Sequence, residues 1–241
     1  MLTTCAITQM PGHKLVRLDL LLPTMPTKAL IASLSQACDS TEDAGPETVL
    51  LLRLRQHSEG VHAINDGLSG VDVNLVSNWE RTLRRLERLE APTLAVVDGP
   101  LGPEGLALAL CCDLRVGTPN ASLSLSAERV GILPDMTLYR LVNQLGGGPA
   151  RRYALWGQLM PAADALRLGV LDAIEAEAEA AALAQVAALT PAQFVNLPMR
   201  RRLLLDAPAQ GYEACLGGHL AACDRHLRIL RAVAAAEASA P

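Results

Sequence analysis

Aromatic residues are scarce in this chain of 241 residues: they make up 2% of it, as one Phe, three Tyr and two Trp. Single-stranded nucleic acids bind by stacking their bases on aromatic rings, and all nucleic acids favour a positive surface. Because the chain has few rings and a net charge of −4, we expect no nucleic-acid partner. Hydrophobic residues nevertheless make up 50%, which predicts a sizeable core of aliphatic side chains.

Long apolar segments are also missing, since no run reaches the roughly 20 residues that span a bilayer. The first residues, MLTTCAITQMPGHK, lack the basic and apolar regions of a secretory signal. None of the six cysteines forms a C-x-x-C pair, and no His, Cys and carboxylate cluster has the spacing of metal ligands. We therefore expect a cytoplasmic protein with reduced thiols, no membrane association and no metal.

Strand-like and helix-like segments alternate along the first half of the chain. Residues 14–22, 47–55 and 93–98 have the apolar character of buried strands, whereas residues 27–38 and 136–145 have helical spacing. Such alternation predicts an α/β core around a parallel sheet with right-handed crossovers. The second half is mostly helical, and its last helix is expected around residues 212–235.

Ligands of parallel sheets bind beyond the carboxyl ends of the strands, and here two glycine-containing loops follow strands. The second loop opens the stretch VDGPLGPEGLALALCCDLRVG, residues 97–117. A strand breaks into a Gly/Pro turn, and a helix that is apolar all round, and hence internal, follows. A turn with so few bulky side chains is suited to offering backbone N–H groups to a ligand.

That stretch resembles the signature of the crotonase superfamily, the enoyl-CoA hydratase/isomerase proteins. PTLAVVDG is similar to the strand before it, AERVGILPD to the segment with the second catalytic position, and LVNQLGGGPARRYALWGQLMPAADALRLGVLDAI to the helical continuation. The resemblance implies a crotonase-like α/β core of repeated ββα units over residues 1–190. It also implies a helical C-terminal region, residues 191–241, through which homo-oligomers form as trimers or hexamers.

The shared chemistry of that family is stabilisation of a thioester enolate by two backbone N–H groups. Carried over residue by residue, these donors fall on Val61 and Glu104, with Gly60, His62 and Gly105 beside them as substrate-binding positions. The positive end of the helix that starts there adds to the stabilisation. The implied ligand is an acyl-CoA or acyl-carrier thioester. Coenzyme A is then part of the substrate, and no separate cofactor is expected.

The chain departs from the family pattern at two places. Pro103 and Glu104 stand where glycines are usual, and Pro103 has no N–H to donate. The two glutamates with which hydratases position water and move a proton fall on Ala107 and Ala127. Glu128 is next to one of them, but neighbouring side chains of an extended segment point to opposite faces. Because both proton-transfer groups are missing, we predict that the protein is not a simple enoyl-CoA hydratase.

Several other side chains have two interpretations. Asp135 follows GILP, where some relatives carry a catalytic aspartate, but it is also a good helix N-cap. Glu104 is either an acid or base turned into the pocket or a solvated turn residue. His57 and His62 are either near the thioester as a base or on a surface loop. Tyr139 either reaches the acyl pocket or belongs to the core.

The segment GLSGVDVNLVSNWERTLRRLERL predicts an amphipathic helix with Trp79 on its apolar face. On the outer face, Glu80 and Arg84 are expected to form an i,i+4 pair. Its arginines are either a site for CoA phosphates or for an acidic partner protein, or a solvated helix surface, which is the ordinary interpretation.

The same segment, together with GILPDMTLYRLVNQLG, is similar to the accessory crotonase-like proteins (DpgB type) of 3,5-dihydroxyphenylglycine biosynthesis. That resemblance implies a type III polyketide synthase as partner, with the crotonase-like protein assisting dehydration and aromatisation of a CoA-bound polyketide. Two alternatives remain open. One is a non-catalytic scaffold that stabilises the synthase, and the other is an independent acyl-CoA isomerase, hydrolase or decarboxylase that uses Asp135.

Overall fold

The computed structural model describes residues 4–10, 12–56, 70–126 and 134–238 of the chain. It divides into two compact units, one up to Leu189 and one from Thr190 onward. The first unit contains the strands β1 (Thr4–Met10), β2 (His13–Leu22), β3 (Thr48–Gln56), β4 (Thr93–Val97), β5 (Pro100–Leu101), β6 (Leu114–Gly117), β7 (Ser122–Leu123), β8 (Met160–Pro161) and β9 (Ala173–Ile174). Its helices are α1 (Lys28–Ala44), α2 (Val73–Glu87), α3 (Pro103–Leu110), α4 (Met136–Leu145), α5 (Gly147–Trp156), α6 (Ala162–Arg167) and α7 (Ala178–Ala187).

The main sheet has six strands in the order β1-β2-β3-β4-β6-β9. β1 and β2 pair antiparallel, and every other neighbouring pair in this sheet is parallel. Three short strands, β5, β7 and β8, form a second sheet. The α/β fold with helices at the C-terminus that the sequence predicts is therefore confirmed, and the three predicted strands correspond to β2, β3 and β4.

The central strands lie inside the protein because their side chains are apolar on both faces. In β3 every residue from Thr48 to Leu52 is buried, and all five residues of β4 are buried as well. Parallel sheets covered on both faces have this near-continuous apolar pattern. Since β3 ends at Gln56 and β4 at Val97, the residues that follow both strands emerge at the same edge of the sheet.

The helices begin and end at residues that suit those positions. Thr27 caps α1 by accepting a hydrogen bond from the Leu30 N–H at 3.1 Å, and Asp72 caps α2 through the Leu75 N–H at 2.7 Å. Such caps each contribute about 1 kcal/mol. Trp79 is completely buried on α2, which confirms the predicted apolar face.

The second unit is helical throughout its described part. It contains α8 (Pro191–Val195), α9 (Leu197–Asp206), a 3-10 turn (Ala207–Ala209) and the 27-residue α10 (Tyr212–Ala238). Thr190 and Gln193 form a capping box that starts α8. Among the helices described here, none combines the length and the apolarity that a bilayer span requires.

Candidate active site

The turn between β5 and α3 lies where the main sheet ends and an internal helix begins. α3 starts with Gly102 as its N-cap and Pro103 as its first helical residue, and it is buried from Glu104 to Leu110. Proline is well tolerated at the first helical position, because the N–H that it lacks has no partner within the helix. The absence of the Pro103 N–H is thus compatible with a normal helix start, with the N–H groups of the next residues at its positive end.

Close packing explains the glycine at position 105. A Cβ atom at Gly105 would lie 2.8 Å from the Leu101 Cβ and 2.9 Å from the Leu101 Cδ1. Those distances are shorter than any ordinary carbon contact, so a larger residue would push α3 away from β5. Gly105 is therefore required by the packing of the turn, and its predicted contact with substrate stays a prediction.

Gln56 ties this turn to the ends of two central strands. Its Oε1 accepts a hydrogen bond from the Gly102 N–H at 3.1 Å, and its Nε2 donates to the carbonyl of Pro23 at 3.2 Å. Gln56 is the last residue of β3, and Pro23 directly follows β2. Sequence reasoning missed this residue, although a polar side chain that ends an apolar strand was a usable signal.

Glu104 is not the solvated turn residue that one interpretation of the sequence expected. Only 4% of the residue is exposed, and within the described structure its Oε2 has no hydrogen-bond partner. Burial raises the pKa of the Glu104 carboxyl from 4.5 to about 8; hydrogen bonding from its own backbone N–H opposes this shift, and the charge of Asp135 adds to it. At neutral pH the side chain is therefore mainly a neutral acid.

Asp135 is the N-cap of α4, which confirms that interpretation of the sequence. Its Oδ1 accepts a hydrogen bond from the Thr137 N–H at 2.9 Å, and the residue is half-buried. Because its charge acts on Glu104, the two predicted catalytic carboxyl groups belong to one region of the protein. Acid–base catalysis commonly uses two carboxyl groups in different environments, one of which is a neutral acid.

A buried ion-pair cluster fixes the position of α4 against α2. Arg140 Nη1 lies 2.8 Å from Glu80 Oε2, and Arg140 Nε lies 2.6 Å from Glu87 Oε1. Glu80 also accepts a hydrogen bond from the Met136 N–H at 3.2 Å. The predicted pair of Glu80 with Arg84 is wrong, since Arg84 instead bonds Glu87 at 3.1 Å. Glu80 turns inward because it bonds Arg140 of α4, which is 60 residues away in sequence. Local spacing does not reveal such a contact.

The arginine-rich face of α2 is partly neutralised within the first unit. Arg85 bonds Asp39 at 2.6 Å and Glu42 at 2.7 Å on α1. Arg81 and Lys28 line a cleft of about 680 Å³ between the two helices, together with Arg85. The ordinary interpretation of a surface helix with ion pairs therefore describes much of this face.

Tyr139 does not belong to the core: 51% of it is exposed. It lies on the outer side of α4, whereas Arg140, one residue later, is buried. Ala107 is completely buried, and the acid of α3 is Glu104, three residues before it. The remaining candidates lie outside the described residues: Gly60, Val61, His57, His62, Ala127 and Glu128.

All six cysteines are free thiols, and Cys38, Cys111 and Cys112 are buried. Burial raises the pKa of the Cys38 thiol to about 11, so it is not an activated nucleophile. In the portions of the chain that the structure covers, no group of three or more His, Cys, Asp or Glu side chains is arranged to hold a metal ion. Glu104 and Asp135 stay the predicted catalytic side chains.

Comparisons with known proteins show the family to which the chain belongs. A family model described as enoyl-CoA hydratase/isomerase matches residues 64–197. An enoyl-CoA-hydratase of Amycolatopsis orientalis is 37% identical over 222 residues, which are 91% of this chain and 98% of that protein.

Solved structures show the same fold at low identity. The enoyl-CoA hydratase of Mycobacterium smegmatis superposes with a TM-score of 0.76 at 19% identity and covers 92% of this chain and 90% of that one. The enoyl-CoA hydratase of Shewanella pealeana gives 0.74 at 20% identity and covers 94% and 87%. With a family model over more than half of its length and a relative that aligns over nearly its whole length, this chain belongs to the enoyl-CoA hydratase/isomerase family.

Proposed function

We propose that this protein binds a CoA-thioester polyketide and assists its dehydration and aromatisation beside a type III polyketide synthase. The product class is that of 3,5-dihydroxyphenylacetyl-CoA. The observation that carries this proposal is the turn before α3, from which a buried helix starts; the family resemblance places Ala107 where hydratases have a glutamate. A buried acid, Glu104, is present in the turn instead. Such a site suits enolate chemistry without hydration.

The proposed chemistry begins with the thioester oxygen at the start of α3. The backbone N–H groups of Val61 and Glu104 stabilise the enolate that forms when a base removes the α proton. Asp135 accepts that proton as general base and then returns it to the hydroxyl group that leaves from the β carbon. One water molecule is lost, a carbon–carbon double bond forms, and Asp135 is regenerated.

The assembly of the site is part of the same proposal. We expect a homo-oligomer, trimer or hexamer, and an acyl-CoA or acyl-carrier thioester as ligand. Gly60, His62 and Tyr139 remain proposed substrate-binding residues. For Tyr139, exposure on α4 is compatible with contact to a bound ligand or to another subunit, rather than with a role in the core.

The direct test is a reconstituted synthase supplied with malonyl-CoA, with and without this protein. Product yield and distribution are followed by liquid chromatography and mass spectrometry. We expect the protein to shift the products toward the aromatic thioester, and Asp135→Asn to abolish that shift. Arg167→Met is a matched control, because Arg167 pairs with Asp164 on the exposed surface. Identical products with and without the protein would rule the proposal out.

One observation favours a scaffold role as the second candidate. The side chain of Glu104 is buried in the first turn of α3, where the thioester oxygen would have to bind. If the protein only stabilises the synthase, the double variant Glu104→Gln with Asp135→Asn should stimulate as well as the wild type. Turnover of acyl-CoA by the isolated protein would instead indicate an independent isomerase, hydrolase or decarboxylase.

A further inference from the structure

The backbone N–H and the carboxyl group of Glu104 share the same small space at the start of α3. Glu104 is a buried residue in the first turn of the helix, so a ligand oxygen that approaches the N–H groups at this helix start also comes near the carboxyl group. In the described structure the Oε2 atom is buried without a partner. An unpaired buried polar atom destabilises the protein, and a ligand that accepts a hydrogen bond from it would remove that cost.

Little positive charge is available to hold Glu104 in its ionised form. The charged groups on the elements packed against α3 are Asp135 and Arg140 of α4 and Arg53 and Arg55 of β3. Asp135 disfavours a second negative charge. Arg140 is held by two glutamates of α2 at 2.6 and 2.8 Å, and Arg53 by the aspartate after β4 at 2.6 Å. Arg55 is exposed, and among the described residues none of these arginines acts on the Glu104 carboxyl as a counter-ion.

The protonation state of Glu104 decides what the turn can bind. A neutral carboxyl group has one O–H donor, which a carbonyl oxygen can accept. An ionised carboxylate has no donor, and its negative charge opposes a carbonyl oxygen that is gaining negative charge as an enolate forms. The neutral side chain therefore adds a hydrogen-bond donor to the turn, whereas the ionised side chain opposes the binding of a carbonyl oxygen there.

We infer that Glu104 selects for a thioester carbonyl: its side-chain O–H donates to the carbonyl oxygen, and its carboxylate form excludes that oxygen. The inference rests on the proposed function only in so far as the ligand is a CoA thioester. It adds a side-chain donor to the backbone N–H of Glu104, and it makes binding depend on pH.

The test compares two probes that differ in the carbonyl group alone. Acetyl-CoA carries the thioester oxygen, and S-ethyl-CoA has a methylene in its place. Their dissociation constants for the intact protein are measured by calorimetry between about pH 6.5 and about pH 9, a range centred on the Glu104 pKa of about 8. The CoA phosphates also titrate near the lower end of this range, but they are common to both probes, so the ratio of the two constants isolates the carbonyl.

For the wild type we expect acetyl-CoA to bind about fivefold more tightly than S-ethyl-CoA at the low end, the equivalent of one hydrogen bond of about 1 kcal/mol. This preference should vanish as the pH rises through about 8. Glu104→Gln keeps a donor that does not titrate, so its preference should persist at every pH. Thermal unfolding of both proteins establishes that the variant is folded.

A wild-type preference that does not change with pH would overturn the inference, as would absence of binding by both probes. A variant that loses its preference at the same pH as the wild type would do so as well. The outcome is separable from the synthase assay. A pH-dependent carbonyl preference in a protein without effect on polyketide products would support the role of Glu104 and reject the polyketide function.

Discussion

Replacement of Glu104 by glutamine should change how the stability of the protein depends on pH. The folded protein holds the Glu104 proton up to a pKa of about 8, whereas the ordinary value is 4.5. Between these values the folded state binds more protons than the unfolded chain. The free energy of unfolding contributed by this group is therefore highest below pH 4.5 and falls as the pH rises toward about 8.

The size of the effect follows from the shift. Each pKa unit corresponds to about 1.4 kcal/mol, so a group in this range loses about 2.5 kcal/mol of stability between about pH 5.5 and about pH 7.5. Glutamine is neutral throughout and has no such dependence. The wild type should thus lose about 2.5 kcal/mol more than Glu104→Gln over this interval, a large part of the stability of an ordinary domain.

Urea unfolding at the two pH values measures the difference, with the fluorescence of the buried Trp79 as the signal. Glu90→Gln is the control, because Glu90 is exposed and its neutralisation should leave the pH dependence nearly unchanged. If the wild type and Glu104→Gln lose stability in parallel, the Glu104 carboxyl titrates as in an unfolded chain. The conclusion that the Glu104 side chain is a neutral acid in the folded protein would then be wrong.

Three further substitutions test the structure around the site by urea unfolding. Arg140→Met removes a buried arginine that bonds Glu80 and Glu87 and should cost about 3–5 kcal/mol. Arg167→Met, at an exposed pair, should cost less than about 1 kcal/mol. Equal losses would contradict the conclusion that Arg140 holds α4 against α2. Gly105→Ala should cost about 1–3 kcal/mol because its Cβ would lie 2.8 Å from a leucine side chain. The control Gly148→Ala, whose Cβ meets open space in α5, should be neutral or stabilising by up to about 1 kcal/mol. A Gly105→Ala variant as stable as the wild type would refute the packing argument. Gln56→Leu removes two hydrogen bonds, so it should cost about 1–3 kcal/mol. It should also speed amide hydrogen exchange in the turn before α3. Unchanged exchange would show that the turn is stable without Gln56.

Local chemistry made the elements of this protein predictable. The central strands are apolar on both faces, and the apolar residues of α2 recur at helical spacing, so these elements can be identified without their partners. Asp135 was predictable as an N-cap because capping involves only neighbouring backbone groups. The crotonase-like signature at α3 led to the family, which the comparisons confirm.

Long-range contacts were not predictable in the same way. Tyr139 and Arg140 are neighbours on α4, yet the tyrosine is half exposed and the arginine is buried, because Arg140 finds two glutamates on α2. Similarly, Gln56 and Gly102 are 46 residues apart. Partners of this kind are set by how whole elements pack, and no local pattern encodes them.

The amino-acid sequence by itself determined the central strands, the α/β class and the family of this protein, because each depends on local periodicity or on a contiguous signature. Only the tertiary structure decided the state of Glu104. A glutamate in a turn is normally solvated and ionised, but here the end of the sheet and the helices around it remove water from the carboxyl group, and Asp135 disfavours its charge. The cost of burying a charge depends on everything that surrounds it, so the acid in this site exists only in the folded chain.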